Sequence, residues 1–301
     1  MKIIGHHKER ERLKKLAQEN KISQGYLFVG PQSVGKSLCA LEFAMELVSE
    51  PSFEPNENKP YPFDVLVVKP EEETKHSVTK QKSIGVETMR DVLSFLARFP
   101  AVGRFRVAII EDAQKLSLAA QNVILKTLEE PNPSAVMILI THEVGSIIPT
   151  ILSRVERIRF DYVPEKEIEN DIDALFVRKN EYPIASFFFS LGRPGMIVQA
   201  VLDPQSFTKE QEKLGRLFRL SSLTLGERLG LAEELAKNVP ESIRLLEWWL
   251  PGLHTQALKE TDIRRTARFF RLLEEAEQTL TLLKTTQSNA RLLLEKLFFS
   301  I

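Results

Sequence analysis

The stretch GPQSVGKS, Gly30 to Ser37, follows the apolar run YLFV and sets Gly35, Lys36 and Ser37 five, six and seven residues after Gly30. A loop of this form points backbone N–H groups and the N-terminus of the next helix at phosphate oxygens. Gly30 and Gly35 allow close backbone approach, and Pro31, Gln32, Ser33 and Val34 form the wall between them. The Lys36 ammonium would neutralise outer phosphates, and the Ser37 hydroxyl would ligate Mg²⁺. These residues predict ATP and Mg²⁺ as ligands. The alternative is a loop kept only for its shape.

Hydrolysis needs more. Such sites place an Asp at the end of a later strand for the metal shell, often followed by a Glu that orients water. Here RVAII is followed by Glu111 and then Asp112, the reverse order. Each side chain differs by one methylene from the usual one, at a site sensitive to displacements of about 1 Å. Binding with slow turnover is the expectation. Two solvated acids at a strand end remain the plainer reading.

The surrounding pattern alternates strand and helix from Tyr26 to about Tyr162. YLFVG, DVLVVK (Asp64 to Lys69), RVAII and AVMILIT (Ala135 to Thr141) are buried-strand candidates. Leu38, Leu41, Met45 and Val48 recur at helical spacing, ETMRDVLSFLARF predicts a second helix, and Ala120, Ile124, Thr127 and Leu128 mark a third. Contiguous apolar strands between helices indicate an α/β fold with a parallel sheet covered on both faces. EPSFEPNENKPYPF is predicted to be a surface loop. A short helical region, about Pro164 to Leu202, contains GRPG (Gly192 to Gly195). The remainder shows no strand pattern and, after Gly252, neither glycine nor proline, which suits long helices.

The chain has 301 residues, 43% hydrophobic and 27% charged, enough for two or three domains. Its 41 basic and 41 acidic residues argue against a generally basic nucleic-acid-gripping surface, though not against a local patch. No run approaches the roughly 18–20 apolar residues of a membrane helix, and MKIIGHHKERERLKK becomes charged where a signal peptide would become apolar. No membrane association and a cytoplasmic location are expected. Cys39, the one cysteine, allows neither an internal disulfide nor a cysteine-rich zinc site, and is expected to be a small buried hydrophobe.

At EDAQKLSLAAQNVILKTLEEP and PTILSRV the chain resembles the clamp-loader branch of the AAA+ ATPases, most closely the delta-prime subunit family of bacterial DNA polymerase III. LKTLEEP (Leu125 to Pro131) and the spaced Ser153-Arg154 carry the resemblance, supported by IIGHHK, GRPG and NARLLLEKL. It covers essentially the whole chain, most strongly from Tyr26 to Phe160. The resemblance implies a five-stranded AAA+ P-loop module over residues 1–162, a helical lid over 163–203, and an all-α C-terminal collar over 204–301. It also implies a pentameric hetero-oligomer with other clamp-loader subunits, acting on a sliding clamp and on primed DNA. Carried over by position, Lys36 and Ser37 serve the loop, Glu111 and Asp112 the acidic positions, and Thr141 the sensor position. Arg154 would reach a neighbour's ATP site as an arginine finger; from spacing alone it is a surface arginine in a basic stretch.

Departures from the family pattern are specific. Val155 stands where the family has Cys, and Gly195 where ATPase subunits carry a lid arginine, with Arg193 two residues away. The four-cysteine zinc module of many relatives cannot be built. These departures weaken the case for ATPase activity of the chain alone while leaving an arginine donor intact. The alternatives are an ATP-hydrolysing motor subunit of gamma/tau type, or a stand-alone AAA+ enzyme.

Other residues point to structure. Adjacent His6 and His7 would diverge by about 100° on a helix and make a poor metal pair. Trp248 and Trp249 suit either core packing or a subunit contact. Phe187–Phe189 read as lid core, and KERERLKK as a solvated helix face.

Overall fold

The computed structural model describes residues 3–48, 61–75, 78–172, 192–202, 212–286 and 288–300. They form two compact units, one of the described residues up to Ile172 with Gly192–Gly195, the other of those from Met196 onward.

The first unit is built on a parallel sheet. Strands β1 (Gly25–Val29), β2 (Val65–Val68), β5 (Arg106–Ile110), β6 (Ala135–Thr141) and β7 (Glu156–Arg159) lie in the order β2-β5-β6-β1-β7. Every neighbouring pair is parallel. A separate antiparallel hairpin joins β3 (Glu72–Lys75) to β4 (Val78–Gln81). Alternation sorts the side chains. Tyr26, Phe28, Val107, Ile109, Val136 and Ile138 face one layer, with α1 (His7–Gln18) and α2 (Lys36–Val48). Leu27, Ala108, Ile110, Met137 and Leu139 face the other, with α3 (Val86–Leu96) and α4 (Leu118–Glu129). All seven residues of β6 are buried, as befits the central strand.

Among the described residues the expected helices and four expected strands are present, with two differences; residues 173–191 of the expected helical region lie outside them. In α2 the buried face carries Cys39, Ala40, Phe43, Ala44, Leu47 and Val48, whereas Leu38, Leu41 and Met45 are only half-buried. The helix is apolar on adjacent faces, so spacing alone selected the neighbouring stripe. The stretch after Arg154, read as basic surface, contains β7, an edge strand with Ile158 buried and Arg157 and Arg159 exposed. The predicted surface loop falls largely on residues 49–60, and Phe187–Phe189 fall within 173–191; both lie outside the described residues.

Helix α5 (Pro149–Leu152) precedes β7, and α6 (Glu165–Ile172) and α7 (Pro194–Leu202) follow it. The second unit is helical, with α8 (Leu225–Ala236), α9 (Val239–Lys259), α10 (Ile263–Thr285) and α11 (Ala290–Phe299). Thr224 and Glu227 close a capping box on α8, and Asn238, Asp262 and Asn289 cap α9, α10 and α11. Trp248 and Trp249 are both buried in the core of this unit, with Leu231, Leu245, Leu246, Ala276 and Leu294. The Arg244 guanidinium lies 5.5 Å from the Trp248 ring centroid. Among the described residues, no helix is long and apolar enough to cross a membrane.

Candidate functional site

The predicted loop runs from the end of β1 into α2, the acids follow β5 and Thr141 ends β6, so all gather at the carboxyl edge of the sheet. Parallel sheets keep ligand chemistry there because the strand-to-helix turns supply N–H groups and side chains. Gly30 (φ 155°), Ser33 (φ 60°) and Gly35 (φ 108°) all have positive φ, the backbone that turns successive amides inward. A Cβ on Gly30 would run into the Phe160 carbonyl, so only glycine fits. Val34 is buried, Pro31, Gln32 and Ser37 are half-buried, and Ser33 is exposed.

Lys36 is 7% exposed and its Nζ donates to the carbonyls of Gly30, at 2.7 Å, and Pro31. Burial pushes its ammonium down to about 8; the Asp112 carboxylate opposes that shift and the Arg193 guanidinium adds to it. A desolvated lysine lying on its own loop carbonyls is a cation held in place for a better anion. The donor set therefore fits a phosphate chain, with Ser37 as the hydroxyl that would face its magnesium.

The two acids part company. Glu111 Oε2 lies 3.4 Å from Lys69 Nζ, just past the end of the edge strand β2. Asp112, left-handed at φ 49°, accepts from Gln114 Nε2 at 2.8 Å and acts on Lys36. Asp112 is thus the acid coupled to the loop. Gln114 also accepts from the Thr141 hydroxyl, at 2.9 Å, and its Nε2 lies 3.0 Å from His142 Nδ1. Asp112 and Thr141 fix which way the Gln114 carboxamide faces, so Nδ1 accepts. On the other side of the ring, Gln32 Nε2 lies 3.1 Å from His142 Nε2. A polar chain thereby runs from the loop at Gln32 through His142 and Gln114 to Asp112. Thr141, 1% exposed, spends its hydroxyl on Gln114 and on the turn at Glu143.

Sequence reasoning missed Gln114 and His142. The available signal was their place directly beyond β5 and β6. It also missed that His6 is part of the cradle: His6 Nε2 donates to the Val34 carbonyl at 2.9 Å and the ring sits edge-on to Phe160. Burial pushes the His6 ring below its ordinary value. His7 diverges to Asp171, 3.5 Å away. Cys39 is buried, and burial raises its thiol to about 12.

The departures at GRPG gain a physical reason. Gly195 N donates to the Ser33 carbonyl at 2.8 Å, and a Cβ there would sit 2.8 Å from that same oxygen. A side chain at 195 would collide with the loop. Arg193 instead is 4% exposed, donates to the Tyr162 hydroxyl at 3.2 Å and lies over its ring.

Arg154 lies apart from this network, just after α5. Its Nη2 is 2.7 Å from Glu129 Oε1, and Nη1 donates to the Thr150 carbonyl at 2.9 Å and to Ser153 Oγ at 3.2 Å. The side chain is still 34% exposed. Glu129 belongs to LKTLEEP, so the two signature motifs meet in one ion pair.

Residues 5–164 match the family model described as DNA polymerase III, delta subunit. A DNA polymerase III subunit delta' of Pseudomonas aeruginosa is 30% identical over 142 residues, 44% of this chain and 41% of that protein. A DNA polymerase III subunit tau of Bacillus subtilis is 30% identical over 176 residues, 55% of this chain and 30% of that protein. The matches thus span less than half the length of these relatives. A solved DNA polymerase III gamma subunit-related protein of Thermotoga maritima aligns over 97% of both chains at 19% identity and a TM-score of 0.50, a likeness of fold. With more than half of its residues matched to the family model, the chain belongs to the DNA polymerase III delta-subunit family, among the clamp-loader subunits of that polymerase.

Proposed function

We propose that the chain is a clamp-loader subunit of delta-prime type that holds ATP without turning it over quickly and lends Arg154 to a neighbour's ATP site. Gly30 to Ser37 would cradle ATP and its Mg²⁺, with Asp112 and Glu111 as the acids and Thr141 at the sensor position. Residues 1–162, 163–203 and 204–301 would act as AAA+ module, lid and collar in a cytoplasmic pentamer that loads the sliding clamp onto primed DNA.

The observation that carries this reading is the contrast in charge placement. The Glu111–Lys69 pair leaves one acid engaged with β2, and the Thr141 hydroxyl is committed to Gln114, an arrangement suited to holding rather than cleaving. Arg154 is at the surface with its guanidinium oriented by three oxygen atoms. Bound ATP would supply the transferring phosphoryl group at the neighbour, and Arg154 would offset the charge that develops on it.

The tau relative keeps a motor reading in view. Purified chain should bind a fluorescent ATP analogue, release little phosphate and co-purify with other clamp-loader subunits. Vigorous phosphate release by the chain alone would replace the holding reading with the motor one.

A further inference from the structure

Helix α10 begins IRRTARFFR, and its first turn contains no acidic residue. Arg264, Arg268 and Arg271 stand at i, i+4 and i+7, within about 60° of helix face and about 10 Å of rise. With Glu275 and Ser300 they line an open groove of ≈ 300 Å³ within the second unit.

Helix physics disfavours this arrangement. The positive end of the dipole repels cations in the first turns, and like charges four apart repel each other. Arg268 has a partner of its own, and the acids at the head of the helix face elsewhere. Asp262 spends Oδ1 capping the amides of Arg264 and Arg265. Glu260 stands 4.0 Å from Arg265, which lies about 100° round the helix from Arg264. Among the described residues, neither the Arg264 nor the Arg271 side chain makes an ion pair. Among the described residues, Glu275 is the one carboxylate that lines the groove.

We propose that this groove binds the phosphodiester backbone of DNA. A row of guanidinium forks suits a row of phosphates, each able to accept two N–H bonds. A polynucleotide presents such charges without interruption, and the dipole of α10 adds to the attraction. An acidic peptide would bring its carboxylates beside Glu275 with no fixed spacing to match the stripe. The site is independent of the ATP loop and of Arg154, and it is a local patch on a chain whose formal net charge is zero.

The test is anisotropy of a labelled primed-template oligonucleotide titrated with the full chain, at salt concentrations from about 50 to 200 mM, where phosphate contacts dominate the salt dependence. Substituting Arg264→Gln, Arg268→Gln and Arg271→Gln together should weaken binding at least tenfold and flatten the log–log salt slope by about 2–3. Arg265→Gln, off the stripe, should leave that slope nearly unchanged, where one lost phosphate contact would change it by about 0.9. Glu275→Gln should tighten binding, and it serves as the deciding variant if the triple substitution melts early. An unchanged slope in a folded triple variant, an equal loss in Arg265→Gln, or no gain in Glu275→Gln would overturn the assignment. So would polyglutamate displacing the oligonucleotide at equal charge concentration, which would make the groove a site for an acidic protein.

Discussion

Two cations in the first unit handle desolvation in opposite ways. Lys36 is buried, lies on two carbonyls of its own loop, and has its ammonium pushed down to about 8. Arg154 is a third exposed and is steered by Glu129, Thr150 and Ser153. A lysine yields its proton when buried, whereas a guanidinium stays charged in any protein setting. The inner cation is suited to a ligand that enters and displaces the carbonyls. The outer one is suited to a partner that arrives with its own phosphate.

The sharpest way to break this contrast is to remove each cation in a reconstituted clamp loader. Arg154→Ala should lower DNA-stimulated hydrolysis at the facing site by about 10³-fold, the lower range for a lost arginine finger, with assembly unchanged by gel filtration. Lys36→Ala should abolish binding of an ATP analogue to this chain while leaving Arg154 in place. An Arg154→Ala complex that hydrolyses ATP at the parent rate would remove the outer half of the comparison. Undiminished analogue binding by Lys36→Ala would remove the inner half.

A smaller effect follows from the Lys36 proton. Its folded value of about 8 lies below the ordinary 10.5. Between those values the unfolded chain holds a proton that the folded chain has released, so this group's contribution to stability rises with pH across the window. Below about 8 both states are protonated, and burying the charge costs the fold its full amount. A phosphate ligand selects the ammonium form, so ATP-analogue affinity should fall above about pH 8, by up to tenfold per unit for the one proton taken up. Lys36→Arg cannot lose its proton and should give a flat profile wherever it still binds. An equally steep fall in that variant would assign the pH dependence to another group.

The parts legible from sequence were those whose physics is local. β1, β5 and β6 are apolar runs that end on a glycine, an acid or a threonine, and each lies where expected. The hairpin of β3 and β4 carries no apolar alternation, and β7 has one buried residue between exposed arginines, as edge strands do. Neither leaves a periodic signal. The loop from Gly30 to Ser37 was equally plain. The chain Gln32–His142–Gln114–Asp112 was hidden because strand order, not spacing, brings β1, β5 and β6 side by side. Arg193 was noticed only as an arginine two places off. Its burial beside Tyr162 and its effect on Lys36 needed the fold.

The smallest expected effect bears on what holds Arg154 in place. Its partner Glu129 is 50% exposed, and an ion pair so open to water contributes about 0–1 kcal/mol to stability. Glu129→Gln should therefore leave the melting temperature nearly unchanged. Orientation is another matter, because a guanidinium that is to act across a subunit boundary must sit within about 1 Å of its productive position beside the phosphoryl oxygens to be effective. The Thr150 carbonyl and Ser153 Oγ constrain Nη1 alone, while Glu129 constrains Nη2. Loss of the carboxylate should then lower the facing site's kcat by about three- to tenfold with KM unchanged, since the effect belongs to the transition state. Glu129→Asp, one methylene shorter but still charged, should recover part of the rate. A variant that keeps kcat but melts early would make the pair a structural clasp. One that changes neither would leave Thr150 and Ser153 as sufficient guides for the arginine.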